Sequence, residues 1–379
     1  MSVVATSNDQ APSPPKIDFP TMGFLMLSPI IGIVGTTVYT YMYGFQLWML
    51  VLFLAMYTAV GLSICAGYHR FFSHKSYEAS RPVQIFFAIF GAMAAQNAII
   101  WWSGNHRLHH QHIDKDWDPY NIKRGFWWAH ILWVFHHHPT PDAEALAPDL
   151  LKNPIVRWQT KWYRAVLIVG GFGLPTLIGW MFGDAIAGLL WGGFLRIVVI
   201  HHTTFFVNSL AHYVGKPTYN ADVSARDNWG VALLTLGEGY HSFHHRFPAD
   251  FRNGIRWYHW DPAKWFIGTL KAMGLASNLR SATPPQVEQA RMQAEIKEIE
   301  SRLAISQGEI ADKARALLAD ARVHIDTALA LWQQHVQEQT ESASSAWRNT
   351  RRQARRHLRE ARRRWTAASS IASQLPDLG

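Results

Sequence analysis

The sequence predicts an all-α membrane protein: four transmembrane helices arranged as two hairpins, a helical histidine-box domain on the cytoplasmic side, and a C-terminal helical tail. Three observations carry this. The 379 residues are 49% hydrophobic and only 17% charged, the apolar residues crowd into four long runs, and three histidine clusters sit just beyond those runs. Amphipathic stripes, the mark of a soluble helical domain, are not the dominant pattern.

Residues 1–20 are polar and Pro-rich, with Lys16 as the only base, and are expected to be disordered; no short apolar core with a cleavage site is visible among them. The runs Met22 to Tyr43, Phe45 to Ala66, Trp162 to Phe182 and Ala185 to Val207 each approach the roughly 20 apolar residues that a crossing needs. Lys and Arg avoid the two short connections, Tyr41 to Gln46 and Phe182 to Asp184, whereas the longer segments are basic. By the positive-inside rule both termini and the histidine clusters are cytoplasmic, making this an integral, multi-pass protein. The net charge of +9 suits anionic headgroups of membrane lipids, and no nucleic-acid partner is expected.

Pro82 to Trp101 is also apolar, but counting it as a fifth crossing would split the histidine clusters between the two sides of the membrane. It is read as an interfacial or re-entrant helix, and the aromatic stretch Gly125 to Phe135 as lying at headgroup level. The membrane domain thus covers 21–283. Thr283-Pro284-Pro285 marks a break, and 284–379 form a charged helical tail or short coiled coil. In it Ile296, Ile299, Leu303, Ile310, Leu317 and Leu318 recur at helical spacing, and Arg348 to Arg364 hold nine arginines.

The single cysteine, Cys65, excludes disulfides, thiolate zinc sites and a built-in iron–sulfur centre. The histidines carry the chemistry instead. They fall as His69 with His74, as His106 with His109 and His110, and as His241 with His244 and His245. Spacings of three and four residues put imidazoles on one helical face. His69 and His74 are five apart, about 140° on an ideal helix, so they converge only if the helix ends or bends there. Imidazole suits zinc, copper, iron and nickel alike, but eight such ligands exceed what one tetrahedral zinc can use and suit a pair of irons. His112, His130, His136 to His138, His201, His202 and His259 are read as ordinary structural histidines.

The pattern His-x4-His, His-x2-His-His, His-x2-His-His resembles that of membrane fatty acyl desaturases. Surrounding words narrow the resemblance to the stearoyl-CoA and Δ9 acyl-CoA or acyl-lipid branch over roughly residues 40 to 275. They are Ala66-Gly67-Tyr68-His69-Arg70, Asp118-Pro119-Tyr120-Asn121, Arg124-Gly125-Phe126-Trp127-Trp128-Ala129-His130, Asn208-Ser209-Leu210-Ala211-His212 and Gly237-Glu238-Gly239-Tyr240-His241.

The resemblance implies a cofactor of two iron ions (Fe2+), a ninth histidine ligand in His212, and Asn208 reaching one iron through water. It implies a bent acyl tunnel whose kink is held by Gln96, Trp102 and Thr204 and whose far end is closed by Tyr57, with Gly61 the next candidate one turn nearer the metal. No catalytic side chain beyond the ligands is expected. The implied reaction inserts a Δ9 cis double bond into a long saturated acyl-CoA or acyl-lipid chain, using O2 and electrons from a separate ferredoxin, rubredoxin or cytochrome. Where animal acyl-CoA enzymes carry an Arg-Asp pair, this chain has Gly104-Asn105, which leaves the acyl carrier open. A hydroxylase on the same irons, or a non-catalytic membrane scaffold, are the alternatives.

Overall fold

A computed structural model describes residues 16–137, 143–305, 307–338 and, beyond those, 356, 360, 363, 364, 366, 367, 370 and 371. Residues 1–15, His138 and most of the arginine-rich stretch 348–364 lie outside the described residues. The described chain is mainly helical, with only two minimal antiparallel ladders, Lys16–Ile17 on His136–His137 and Glu78–Ala79 on Ala276–Ser277.

Among the described residues four helices are long and apolar enough to cross a membrane: Phe19–Tyr43, Leu47–Ser73, Pro154–Met181 and Ala185–His212. The second and fourth run further than the apolar pattern alone indicates. At 27 and 28 residues they are about 40 Å long, against a hydrocarbon core of about 30 Å. The surplus turns carry His69 and His212. The outer faces are lipid-like, with Met26, Ile30, Val34, Ile168, Val169 and Leu177 exposed.

Both hairpin connections turn on a glycine with left-handed backbone, Gly44 at φ 90° and Gly183 at φ 87°. They lie at the same end of the bundle: Tyr39 OH donates to Asp184 Oδ1 at 2.9 Å, and Trp48 stacks on Phe182 with centroids 5.2 Å apart. Asp184 also caps the fourth span by accepting from Ala187 N–H, and Asn153 caps the third by accepting from Ile155 N–H.

The apolar stretch after the second span does not cross. It forms a helix of 12 residues, Arg81–Ala92, only about 18 Å long, then breaks and resumes as Ile99–His112. That second helix carries His106, His109 and His110. A further short helix, His241–Arg246, presents His241, His244 and His245.

The chain divides into two compact units, 1–216 with 223–281, and 217–222 with 282–379. In the second unit the helices Pro284–Ile305 and Glu309–Glu338 share an apolar seam of Met292, Ile296, Ile299, Leu303, Ala311, Ala314, Leu318 and Ala321. Ile310, expected in that stripe, is 49% exposed. The small side chains at 311, 314 and 321 face the partner helix instead.

Candidate metal centre

Nine of the described histidines converge in two groups at the ends of the second and fourth spans. His69, His74, His106, His110 and His244 form one, and His109, His212, His241 and His245 the other; within each, the ligating nitrogens all lie within 4.8 Å of one another. His69 and His74 meet because the helix widens rather than bends. Residues 63–73 are π-helical, and His74 N–H donates to His69 O at 3.2 Å, so positions five apart stack on one face.

The ring contacts are Nε2 to Nε2: His69 to His244 at 2.9 Å, His74 to His106 at 2.8 Å and His244 to His110 at 3.0 Å. In the second group they are His241 to His212 at 3.0 Å, His245 to His241 at 3.0 Å and His109 to His245 at 3.3 Å. A ring nitrogen has one in-plane lobe, either N–H or lone pair, so His244 Nε2 cannot hydrogen-bond two neighbours at once. A shared cation resolves the geometry. With metal–nitrogen bonds of about 2.1 Å and angles near 90–110°, adjacent ligands lie about 3.0–3.4 Å apart. The donor set therefore fits metal in both groups.

Protonation agrees. Burial pushes the imidazoles of His74, His106, His110, His244 and His245 well below their ordinary value, and that of His241 down to about 3. Neutral imidazole is the ligating form.

With Nε2 turned inward, Nδ1 carries the proton and needs an acceptor. His109 Nδ1 faces Asp118 Oδ1 at 2.8 Å, and His69 Nδ1 faces Glu238 Oε2 at 2.9 Å. His212 Nδ1 lies 2.7 Å from the Oγ of Ser224, which in turn donates to Asp114 Oδ1 at 2.5 Å. Glu238 also binds Arg70 Nη2 at 2.9 Å and accepts from Asn253 Nδ2 at 2.6 Å. Burial alone would raise its pKa, but His69 and Arg70 hold the carboxyl well below the usual carboxylate range. Sequence reasoning assigned these carboxylates no role, although Asp118 and Glu238 sit inside two of the quoted words.

Beside the five-histidine group is a cavity of about 370 Å³, walled in part by His69 and His106, within the size range of small-molecule sites. Its wall includes Gly61, Gln96, Trp102, Thr204 and Asn208. Three of these are joined: Gln96 Nε2 donates to Thr204 Oγ1 at 2.9 Å, and Trp102 Nε1 donates to Gln96 Oε1 at 3.2 Å. Tyr57 is not in the wall; it packs on the core beside it, stacked on Phe53 at 6.0 Å. Gly61, one turn closer to the metal groups, is in the wall, as is Leu236.

Of the histidines read as structural, none described joins either group. His130 contacts Ser209 Oγ at 2.9 Å and His202 Nδ1 at 3.1 Å, and His259 stacks on Tyr240 at 4.7 Å.

A sequence model described as fatty acid desaturase matches residues 46–274. Acyl-CoA desaturase 1 of Saccharomyces cerevisiae is 42% identical over 256 residues, 67% of this chain and 50% of that protein. The sn-2 palmitoyl-lipid 9-desaturase of a Nostoc species is 40% identical over 230 residues, 59% of this chain and 78% of that protein. Human stearoyl-CoA desaturase 5 is 38% identical over 237 residues, 60% of this chain and 71% of that protein. The chain spans about half the length of its Saccharomyces and Schizosaccharomyces relatives.

Proposed function

The chain belongs to the fatty acid desaturase family, and from that premise we propose that it is an O2-dependent fatty acyl 9-desaturase holding two iron ions. The observation that carries this reading is the pairing of a five- and a four-histidine group with an apolar cavity containing a hydrogen-bonded Gln96–Thr204–Trp102 cluster. The substrate is a long saturated acyl chain on CoA or lipid, as in the names of relatives of both kinds. Electrons come from a separate donor protein, and the termini and metal groups face the cytoplasm.

The reaction converts –CH2–CH2– to –CH=CH–, and O2 with two external electrons and two protons becomes two waters. Bound iron supplies the redox chemistry able to oxidise an unactivated C–H bond. The chain supplies geometry. An alkyl chain offers no polar handle, so only cavity shape selects the carbon pair. Gln96, tied to Thr204 and Trp102, fixes the kink. Asp118 and Glu238 fix the tautomer and orientation of His109 and His69, and the bulk of the site is buried from water.

Expression in a host without its own desaturase, followed by lipid analysis, tests the reading. A new cis alkene at the ninth carbon, dependent on O2 and a reduced donor, supports it; an alcohol, which differs in mass, would replace it with the hydroxylase.

Chain length gives a finer test. A Cβ at Gly61 would lie 2.4 Å from Leu236 Cδ1, so Gly61→Leu should shorten the cavity and the preferred chain. The shift is expected at roughly fourfold per displaced methylene, from about 0.8 kcal/mol each. Tyr57→Ala, behind that position, should lengthen the preferred chain more weakly. An unchanged product profile in folded, active Gly61→Leu would place the floor elsewhere.

A further inference from the structure

The loop that carries Gln96 is held in an unfavourable shape. Ala95 and Asn97, on either side of Gln96, have left-handed backbones at φ 56° and 76°; Asn tolerates that region, but Ala holds it only when the surroundings impose it. The helix before the loop stops at Ala92 in apolar surroundings, where freed carbonyls need donors from elsewhere.

Two side chains of the fourth span provide them. Arg196 Nη1 donates to Met93 O, and His201 Nε2 lies 2.9 Å from Ala94 O and 3.2 Å from Ala95 O. Arg196 is fully buried, and among the described residues no carboxylate pairs with it. Its Nη2 donates to Gly171 O at 2.9 Å and its Nε to Gly192 O at 3.1 Å. A guanidinium buried within a span without a counter-ion is costly and needs a functional reason. The third span pins the far side of the loop: Asn97 N–H donates to Tyr163 OH at 2.9 Å, and Ile99 N–H to Gln159 Oε1 at 3.1 Å.

We propose that Arg196 is a positioning residue: with His201 it anchors the carbonyls of residues 93–95, fixes Gln96 in the cavity wall, and thereby sets which carbon pair is presented to the metal centre. It does this without lining the cavity itself. The inference rests on the desaturase reading for its selectivity and on geometry alone for the anchoring.

The test compares wild type, Arg196→Gln, Arg196→Lys and His201→Ala by amide hydrogen exchange of residues 93–99, iron content, and double-bond position in products from a saturated 18-carbon acyl substrate. Arg196→Gln should exchange at least tenfold faster in that segment, keep its iron, and spread the double bond over neighbouring positions. Arg196→Lys, which keeps the charge and part of the donor set, should restore much of the single-position product, and His201→Ala should show a smaller spread. Unchanged exchange and a single product position in folded Arg196→Gln would overturn the proposal, as would lower turnover with neither change. Loss of the fold in both Arg196→Gln and His201→Ala would also overturn it, because the contact would then be global rather than local. If wild type itself makes no alkene, the desaturase reading and the selectivity claim fall together, and the exchange data decide the anchoring.

Discussion

His244→Ala should abolish alkene formation while leaving the protein inserted in the membrane. His244 Nε2 touches both His69 and His110, so its removal deletes two edges of the five-histidine polyhedron at once. Losing an outer partner of a ligand typically costs about 10–100-fold in metal affinity, and losing a ligand from the centre of the set should cost more. Iron is expected to fall from about two per chain to about one or fewer, measured by elemental analysis of purified protein. His109→Ala and His212→Ala should do the same to the four-histidine group. His259→Ala, stacked on Tyr240 and outside both groups, should keep its iron and activity. Stoichiometric zinc in protein active as isolated would sink the iron assignment.

The crossings and the histidine boxes were legible in the sequence because both obey short-range rules, apolar run length and helical spacing. Other features depended on what the helices do in three dimensions. The meeting of His69 with His74 relies on a π-helical stretch, which sequence spacing does not announce. Gly61 rather than Tyr57 lies in the cavity wall together with Leu236, a residue 175 positions later whose left-handed backbone at φ 54° is a feature of the loop before Glu238. Arg196 did carry a local signal, being a lone charge inside the apolar run Ala185 to Val207, and an ionisable residue at such a place is a reason to look for partners. Those partners are backbone carbonyls, which leave no mark in the sequence.

Glu238→Gln should be the most damaging single change outside the ligands. The carboxylate accepts from three donors at once, His69 Nδ1, Arg70 Nη2 and Asn253 Nδ2, and an amide in its place turns N–H towards at least one of them. Arg70 is fully buried and, among the described residues, would keep Asp261 alone, 2.9 Å from its Nη2, as a counter-ion. Breaking one member of a buried ion pair costs about 3–5 kcal/mol, and the surviving Asp261 places this case near about 3 kcal/mol. Iron affinity should fall by about 10–100-fold as His69 loses its acceptor. Because the folded pKa of Glu238 is depressed, its contribution is fully present above the ordinary carboxylate value and is lost only as pH falls through the folded one. The gap in thermal stability between wild type and variant should therefore hold steady from about pH 6 to 8 and narrow only in strong acid. Asp118→Asn is the contrasting case: its nearest partners are His109 Nδ1 and the backbone N–H groups of Asp114 and Tyr120, so no buried guanidinium is stranded and the loss should be about 1–2 kcal/mol. A Glu238→Gln protein that melts with wild type and keeps its full iron would show that Asp261 alone holds Arg70 and that His69 needs no carboxylate behind it.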